Sequence, residues 1–482
     1  MNGNDKRKRS GRVGVFGVGF HRYWPQFDGL LDELRRKLAA FEAKVSAHGA
    51  EVASFGIVDD SESAHALLPR LQSARLDLVF CHMLTYATSA TFAPIIRGLD
   101  VPLVLVALQP GKAMDYATAT TYTQLCNDDF CAVPEFTGVA IRMGRKPPPV
   151  ILGTIEDDAD ADREIAGWCR IAGVLHHLKG ARIGHFGHPI EHMLDMQTDQ
   201  TALMAAFGCH IVQTEAEQLL QFERTVGMDE IRGKREEILE VFDTPDPGSD
   251  PITTKLTSED LEAAARVAVA LDRFVAAHRL DGLAYYYEGE PGSALRQCVT
   301  NLIVGNSLLT AAGFPMCGES DLKTCLAMLI MDRLGMGGSF AEFHPIDFRE
   351  NFVLVGHDGP HHLAIAEGKP VLRSLKRYHG KPGSGASVEF KIKEGPITML
   401  SIGVTARGGF KFVLAEGESV RGPIPATGNT NTRGFFGPDV REFLLRWVAE
   451  GPTHHFALGI GHQARALGRI ADILNIDSVV VR

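Results

Sequence analysis

The chain has 482 residues, a formal net charge of −10, 45% hydrophobic and 22% charged residues; that length exceeds one ordinary core, and the balance is that of a globular protein. The negative charge argues against a nucleic-acid partner, because neutralising phosphates requires a basic face. No run approaches the ~20 apolar residues of a membrane helix, and eight scattered cysteines without a CxxC pair read as reduced thiols of a cytoplasmic protein.

The basic cluster Lys6 to Arg12 reads as a solvated terminus, since the apolar run after it is too short for a signal peptide. Val13–Phe16, Val52–Ile57, Leu76–Cys81 and Leu103–Leu108 then alternate with helical stretches at Phe27–Ala47 and Ala64–Ala74. Such alternation predicts a doubly wound, parallel-sheet α/β domain. Gly17-Val-Gly19 lacks the third glycine of a dinucleotide fingerprint, Arg22 standing in its place. The glycines are therefore assigned to a tight turn. His21-Arg22-Tyr23-Trp24-Pro25 follows the first strand, where such sheets bind ligands; the alternative is a loop whose aromatics pack under the next helix.

After the break Lys146-Pro-Pro-Pro149, a second α/β unit begins near Ala181, with strands at Arg182–Phe186, His210–Gln213 and Leu283–Tyr287. Asp243–Ile252 reads as an exposed loop, and Thr257-Ser-Glu-Asp260 has capping-box spacing before a long helix. Ala294–Leu309 reads as a further helix. Beyond Gly338, short β-type runs at 352–355, 362–366, 387–392, 397–404 and 410–417 predict an antiparallel β domain, barrel or sandwich. The expected fold is two doubly wound (flavodoxin-like) domains, 1–175 and 176–338, followed by a β-rich domain, 339–482.

Chemistry-bearing residues concentrate between Met316 and His357. Leu322, Cys325, Leu326, Leu329 and Ile330 fall at helical spacing, with Ser320 or Asp321 as cap and Gly335 after the end. Glu319 therefore precedes a helix N-terminus, whose dipole favours its ionised form. Glu342 follows a Gly-rich turn, and His357 closes an apolar strand. His185, His188 and His192 read as a loop or pocket wall rather than a metal pair, and His361-His362 as exposed. Of His454-His455, adjacent on a strand, one can enter a shared site. Two carboxylates and two imidazoles suit a labile divalent ion such as Mn²⁺, Co²⁺ or Mg²⁺ rather than structural zinc.

These residues resemble the L-arabinose isomerase family. Gly318-Glu319-Ser-Asp321-Leu-Lys323-Thr324 is similar to its Gly-Glu-Gly-Asp-Trp-Lys-Thr motif, and Gly337-Gly338-Ser-Phe-Ala-Glu342 to its Gly-Gly-(Thr)-Ser-Phe-Met-Glu. Gly356-His357 and Gly451-Pro-Thr-His454-His455 resemble its histidine motifs, His21-Arg22-Tyr23 its His-Leu-Tyr, and Gln109 a glutamine after its fourth strand. The resemblance implies Mn²⁺ held by Glu319, Glu342, His357 and His455, with the two glutamates catalytic. It further implies a sugar bound by His21, Tyr23 and Gln109, and a homo-oligomer, hexamer or trimer, with shared active sites. Ser320, Leu322, Phe20 and the run from Pro110 to Tyr116 depart from the family pattern, which leaves the sugar open. The function expected is aldose–ketose isomerisation of a pentose, hexose or 6-deoxy sugar through an ene-diolate. The alternatives are a carbohydrate-binding or regulatory protein without turnover, or an epimerase. Lys323 is expected to pair with Asp321.

Overall fold

Apolar runs and amphipathic helices alternate through the first third of the chain, and their burial decides its architecture. The computed structural model describes residues 10–189, 192–245, 255–286, 288–359, 361–374, 385–425 and 430–482. Residues 6–9 of the basic cluster and 246–252 of the acidic loop lie outside them. The chain divides into two compact units, one through His177 and one from Leu178 to Arg482.

In the first unit, β1 (Arg12–Val18), β2 (Glu51–Val58), β3 (Leu78–Met83), β4 (Leu103–Gln109) and β5 (Val150–Thr154) form a parallel sheet in the order β2-β1-β3-β4-β5. This is the doubly wound, flavodoxin-like order, with the switch point beside β1. The helix Leu30–Ala47 buries Leu30, Leu34, Leu38, Phe41 and Val45, one stripe at helical spacing, each side chain contributing about 1.5–3 kcal/mol. Strand β5 had no counterpart among the expected strands. It is five residues long, follows three prolines and lies at the sheet edge, where a missing N–H is tolerated. Gly17 and Gly19 serve packing rather than a turn. A Cβ at 17 would stand 2.4 Å from Leu84 Cδ1 and one at 19 would stand 2.9 Å from the Trp24 ring, and neither residue has a left-handed φ.

The second unit holds two sheets. β6 (Arg182–Phe186), β7 (His210–Thr214), β8 (Gly282–Tyr285) and β9 (Met316–Cys317) are parallel, in the order β7-β6-β8-β9. The remaining strands are β10 (Gly337–Asp347), β11 (Phe352–His357), β12 (Ala366–Ser374), β13 (Ala386–Ile392), β14 (Gly395–Val404), β15 (Phe410–Val420), β16 (Thr430–Phe435), β17 (Phe456–Ile460) and β18 (Asp477–Val481). They run β12-β13-β16-β11-β10-β17-β14-β15-β18, and an additional β16–β15 pairing closes the middle of this sheet on itself. All pairings around that ring are antiparallel, so the middle of the β-rich part is a barrel, and β12 and β18 remain as edge strands beside it. Between the parallel sheet and the barrel lies the helix Leu322–Arg333, touching β8, β9, β10, β14 and β17. Every one of its residues is buried, including the charged ones. Its sequence shows an apolar stripe, but barrel and sheet together cover all sides.

Candidate metal centre

Glu319 is presented by a strained turn. Parallel strand β9 ends at Cys317, and Glu319 and Ser320 then both take left-handed φ values, +59° and +56°. Such a conformation costs a non-glycine residue about 1–3 kcal/mol and persists where the surroundings enforce it. Ser320 is held by its N–H donating to the Tyr285 carbonyl (3.0 Å) and its hydroxyl donating to the Phe186 carbonyl (3.3 Å). Asp321 then caps the buried helix: its Oδ1 accepts from the N–H groups of Lys323 and Thr324, both at 3.1 Å, and its Oδ2 accepts from the Thr324 hydroxyl at 2.7 Å. The turn stops Glu319 from joining the helix and aims it past the sheet's carboxyl edge.

The barrel supplies the other groups. β10 lies between β11 and β17, with Glu342 paired to Gly356 and Ala341 to Phe456. That register sets Glu342 beside His357 on one flank and level with His455 on the other. The Gly-rich segment before Glu342 is the start of β10 rather than a turn. Phe340 packs against both imidazoles, with ring centroids 4.1 Å from His357 and 4.3 Å from His455.

Among the described residues, two overlapping triads have their ligand atoms within 4.8 Å of one another: Glu319, His357 and His455, and Glu342, His454 and His455. Glu342 thus joins the cluster through the shared His455. Glu319 Oε2 and His455 Nε2 stand 3.1 Å apart, yet both are buried without a hydrogen-bond partner. Ligands at about 2.0–2.2 Å from one ion and roughly at right or tetrahedral angles lie about 3–3.5 Å apart, so the spacing fits a shared cation. The tautomers fit as well. His357 Nδ1 bonds the Asp358 carbonyl (2.8 Å) and His455 Nδ1 the Asp321 carboxylate (3.3 Å), so the Nε2 of each ring faces the cluster. The helix cap therefore doubles as the group that orients a metal-type histidine.

Charge in the cluster is strongly coupled. Burial pushes the Glu319 carboxyl up, but His455 and His357 outweigh it and hold it below the usual range. Burial likewise opposes ionisation of Glu342, and His344 and His454 overcome it, holding this carboxyl far below its usual value. Burial pulls His455 down, while Asp321 and Glu319 push it up to about 9. His357 is lowered, chiefly by burial. The imidazoles hold Glu319 in its ionised state against burial.

Other sequence expectations meet mixed fates. His454 and His455 both approach the cluster, because they precede β17 and strand alternation does not separate them. His361 and His362 are buried, not exposed. His361 bonds the Ser339 hydroxyl (3.2 Å) and the His357 carbonyl (2.8 Å), and His362 bonds Asp332 (3.0 Å). Lys323 has the expected structural role, with Nζ 3.6 Å from Asp321 and donating to the carbonyls of Asp195 (2.8 Å) and Met196 (3.3 Å). His185 bonds Gln200 (3.3 Å) and His188 lies against Tyr286 (4.3 Å between ring centroids), outside both triads. In the first unit, His21 and Tyr23 follow β1 and Gln109 ends β4, so all three stand on the carboxyl edge of that sheet. Trp24 donates to Asp59 (2.7 Å) and Tyr23 meets Phe20 edge-on (5.2 Å), while His21 stays exposed. The loop combines the packing and the open-edge readings. His344 and Asp195 were not singled out from sequence; two-residue spacing from Glu342 was the available signal for His344, and Asp195 left none.

Two carboxylates and three imidazoles, set where a parallel sheet meets a barrel, form a cluster that could hold a metal ion on an α/β–barrel scaffold. No family model matches the chain. It is 25% identical to an L-arabinose isomerase of Nocardioides sp. over 479 residues, covering 96% of this chain and 91% of that protein. An L-arabinose isomerase of Aeromonas hydrophila is 22% identical over 84% of this chain and 80% of its own length. A sulfoquinovose isomerase of Alkalicoccus urumqiensis is 22% identical over 70% and 73%. A solved substrate binding protein from Clostridium difficile aligns with a TM-score of only 0.16 and 11% identity, over 64% of this chain and 74% of that one, too loosely to bear on the fold. Over most of its length the chain is thus similar to proteins named as sugar isomerases.

Proposed function

We propose that the protein is a metal-dependent aldose–ketose isomerase, acting on a pentose, hexose or 6-deoxy sugar through an ene-diolate. The observation that carries this is the convergence of Glu319, His357 and His455 with Glu342 and His454, two triads sharing His455 with their ligand atoms within 4.8 Å of one another. A binding module has no need of such an arrangement, because two carboxylates held in low dielectric are costly without a counter-charge. Whole-length similarity to named sugar isomerases supports the same reading.

Glu319, Glu342, His357 and His455 would hold the ion, Mn²⁺ being the expected one. When bound, a divalent cation supplies Lewis-acid stabilisation of the charge that develops on the sugar oxygens. The protein's own groups do the proton work. Moving hydrogen between C1 and C2 requires one carboxylate to take the carbon-bound proton and another to manage the hydroxyl proton. Glu319 and Glu342 suit this division because their surroundings differ: the Glu319 side chain is 11% exposed against His455, and that of Glu342 is 22% exposed between His344 and His454. His21, Tyr23 and Gln109 would bind the sugar in a homo-oligomer with shared sites, hexameric or trimeric, in the cytoplasm. No helix among the described residues is long and apolar enough to cross a membrane.

The test is a panel of aldoses and ketoses incubated with the full chain and Mn²⁺, followed by product analysis. Conversion of an aldose to its ketose, lost on chelation and regained with Mn²⁺, supports the proposal. An aldose epimer as sole product would show an epimerase instead, and binding without conversion of any sugar would show a carbohydrate-binding protein.

A further inference from the structure

We propose that His344 and His454 are paired positioning residues that hold Glu342 by its two carboxylate oxygens, with Asp195 bracing His454. The inference rests on Glu342 being a working carboxylate of the isomerase site. His344 Nε2 stands 3.4 Å from Oε1 and His454 Nε2 stands 2.7 Å from Oε2, so each imidazole takes a different oxygen.

Each imidazole is where it is for a local reason. His344 is two residues beyond Glu342 on β10, and residues two apart share a strand face. The β10–β11 register slips between Phe343 and Ile346, so His344 itself lies within the irregularity. Pro345, which has no N–H to give the ladder, sits in that bulge. The bulge interrupts the pairing at His344, whose Nε2 is buried at ion-pair range of Glu342 Oε1.

His454 is fixed from its backbone. Its N–H donates to Asp195 Oδ2 at 2.7 Å, and the carbonyl of the same aspartate accepts from buried Lys323 Nζ at 2.8 Å. A line of contacts thus runs from the motif lysine through Asp195 to His454 and on to Glu342. This gives Lys323 a role in the site although it touches none of the ligand atoms. The terminal torsion of a glutamate is broad, and an imidazole on each oxygen removes that freedom and settles which lone pairs face the cluster. Orientation of that kind is worth large factors in rate and affinity.

The test titrates the full-length protein with Mn²⁺ by calorimetry, with thermal melts to confirm folding. His344→Phe and His454→Phe should each weaken Mn²⁺ binding about 10–100-fold, the usual cost of removing an orienting partner. His344→Gln and His454→Gln, which keep a side-chain N–H of similar reach, should recover most of that loss. Asp195→Ala should cost about 2–10-fold, the worth of one hydrogen bond. If a phenylalanine variant fails to fold, the glutamine variant and Asp195→Ala carry the comparison. Phenylalanine variants that bind as wild type does would overturn the clamp, and glutamine variants as weak as the phenylalanine ones would overturn positioning in favour of direct ligation. Wild-type protein that takes up no Mn²⁺ and converts no sugar would overturn the isomerase reading itself, and that outcome is seen before any variant is made.

Discussion

Lys37 in the first unit and Glu319 in the second are both buried charges, but they are neutralised differently. Lys37 forms an ion pair with Asp129, also buried, and donates to the carbonyls of Leu84 (3.3 Å) and Cys126 (3.2 Å). Its counter-charge is part of the chain. Glu319 and Glu342, by contrast, have no lysine or arginine partner among the described residues; only imidazoles face them. A pair built for folding brings both signs, because breaking it later would strand a charge. Carboxylates faced by imidazoles carry a replaceable positive charge, since a proton on His455 can leave when a cation enters. The comparison separates a buried charge that belongs to the core from one that waits for a ligand.

The difference breaks most sharply on substitution. Glu342→Gln should cut turnover about 10²–10⁴-fold, the range for a lost general acid or base, with circular dichroism and melting temperature close to wild type. A fully active variant would remove Glu342 from the chemistry. Asp129→Asn should do the reverse, destabilising by about 3–5 kcal/mol in urea titrations by leaving Lys37 without its partner, while Mn²⁺ affinity per folded molecule is unchanged.

Acid should act on both regions through buried histidines. Burial holds His361 down at about 3 and His82 well below its usual value. The unfolded chain protonates these rings near 6.5, so their contribution is full above that pH and is lost as pH falls towards 3. Asp129 runs the other way. Burial outweighs Lys37 and raises its carboxyl to about 6, so its contribution is full below about 4 and is lost as pH rises through 6. Urea midpoints followed from pH 7 to pH 4 should fall by less in His361→Gln than in wild type; identical slopes would contradict the assignment.

Two smaller effects sharpen the picture. Mn²⁺ at 100 times its dissociation constant should stabilise the wild type by about 2.7 kcal/mol through mass action, seen as a raised melting temperature in the second unit, and Glu319→Gln should abolish most of that shift. Ser320→Gly should change stability by no more than about 1 kcal/mol, because relief of the left-handed backbone is offset by loss of the hydroxyl bond to Phe186. A loss of several kcal/mol would mean the serine does more than tolerate the turn.

Much of the scaffold was legible. Eight or more apolar runs became strands within two residues of their expected limits, as at Arg182–Phe186 and Phe352–His357, because hydrophobic periodicity is a local property. The expected helix across Ala294–Leu309 is two helices meeting at Asn301, a break no glycine or proline announces. Strand β5 was hidden by the prolines before it. Of the site, the motifs singled out Glu319, Glu342, His357 and His455, whereas burial of His361 and His362 and the approach of His454 depended on how β10, β11 and β17 pair.

By itself the sequence determined the alternation of strand and helix, the change to β structure after Gly338, a cap at Ser320 or Asp321 and the family likeness, since each is written in residues close together or in motifs. Tertiary structure alone decided that the helix Leu322–Arg333 is enclosed on every side, that the β-rich part closes between β15 and β16, and that Glu319 Oε2 comes within 3.1 Å of His455 Nε2. The reason is physical: burial and the meeting of distant side chains depend on what packs against what, and the 135 residues between Glu319 and His455 carry no local record of that encounter.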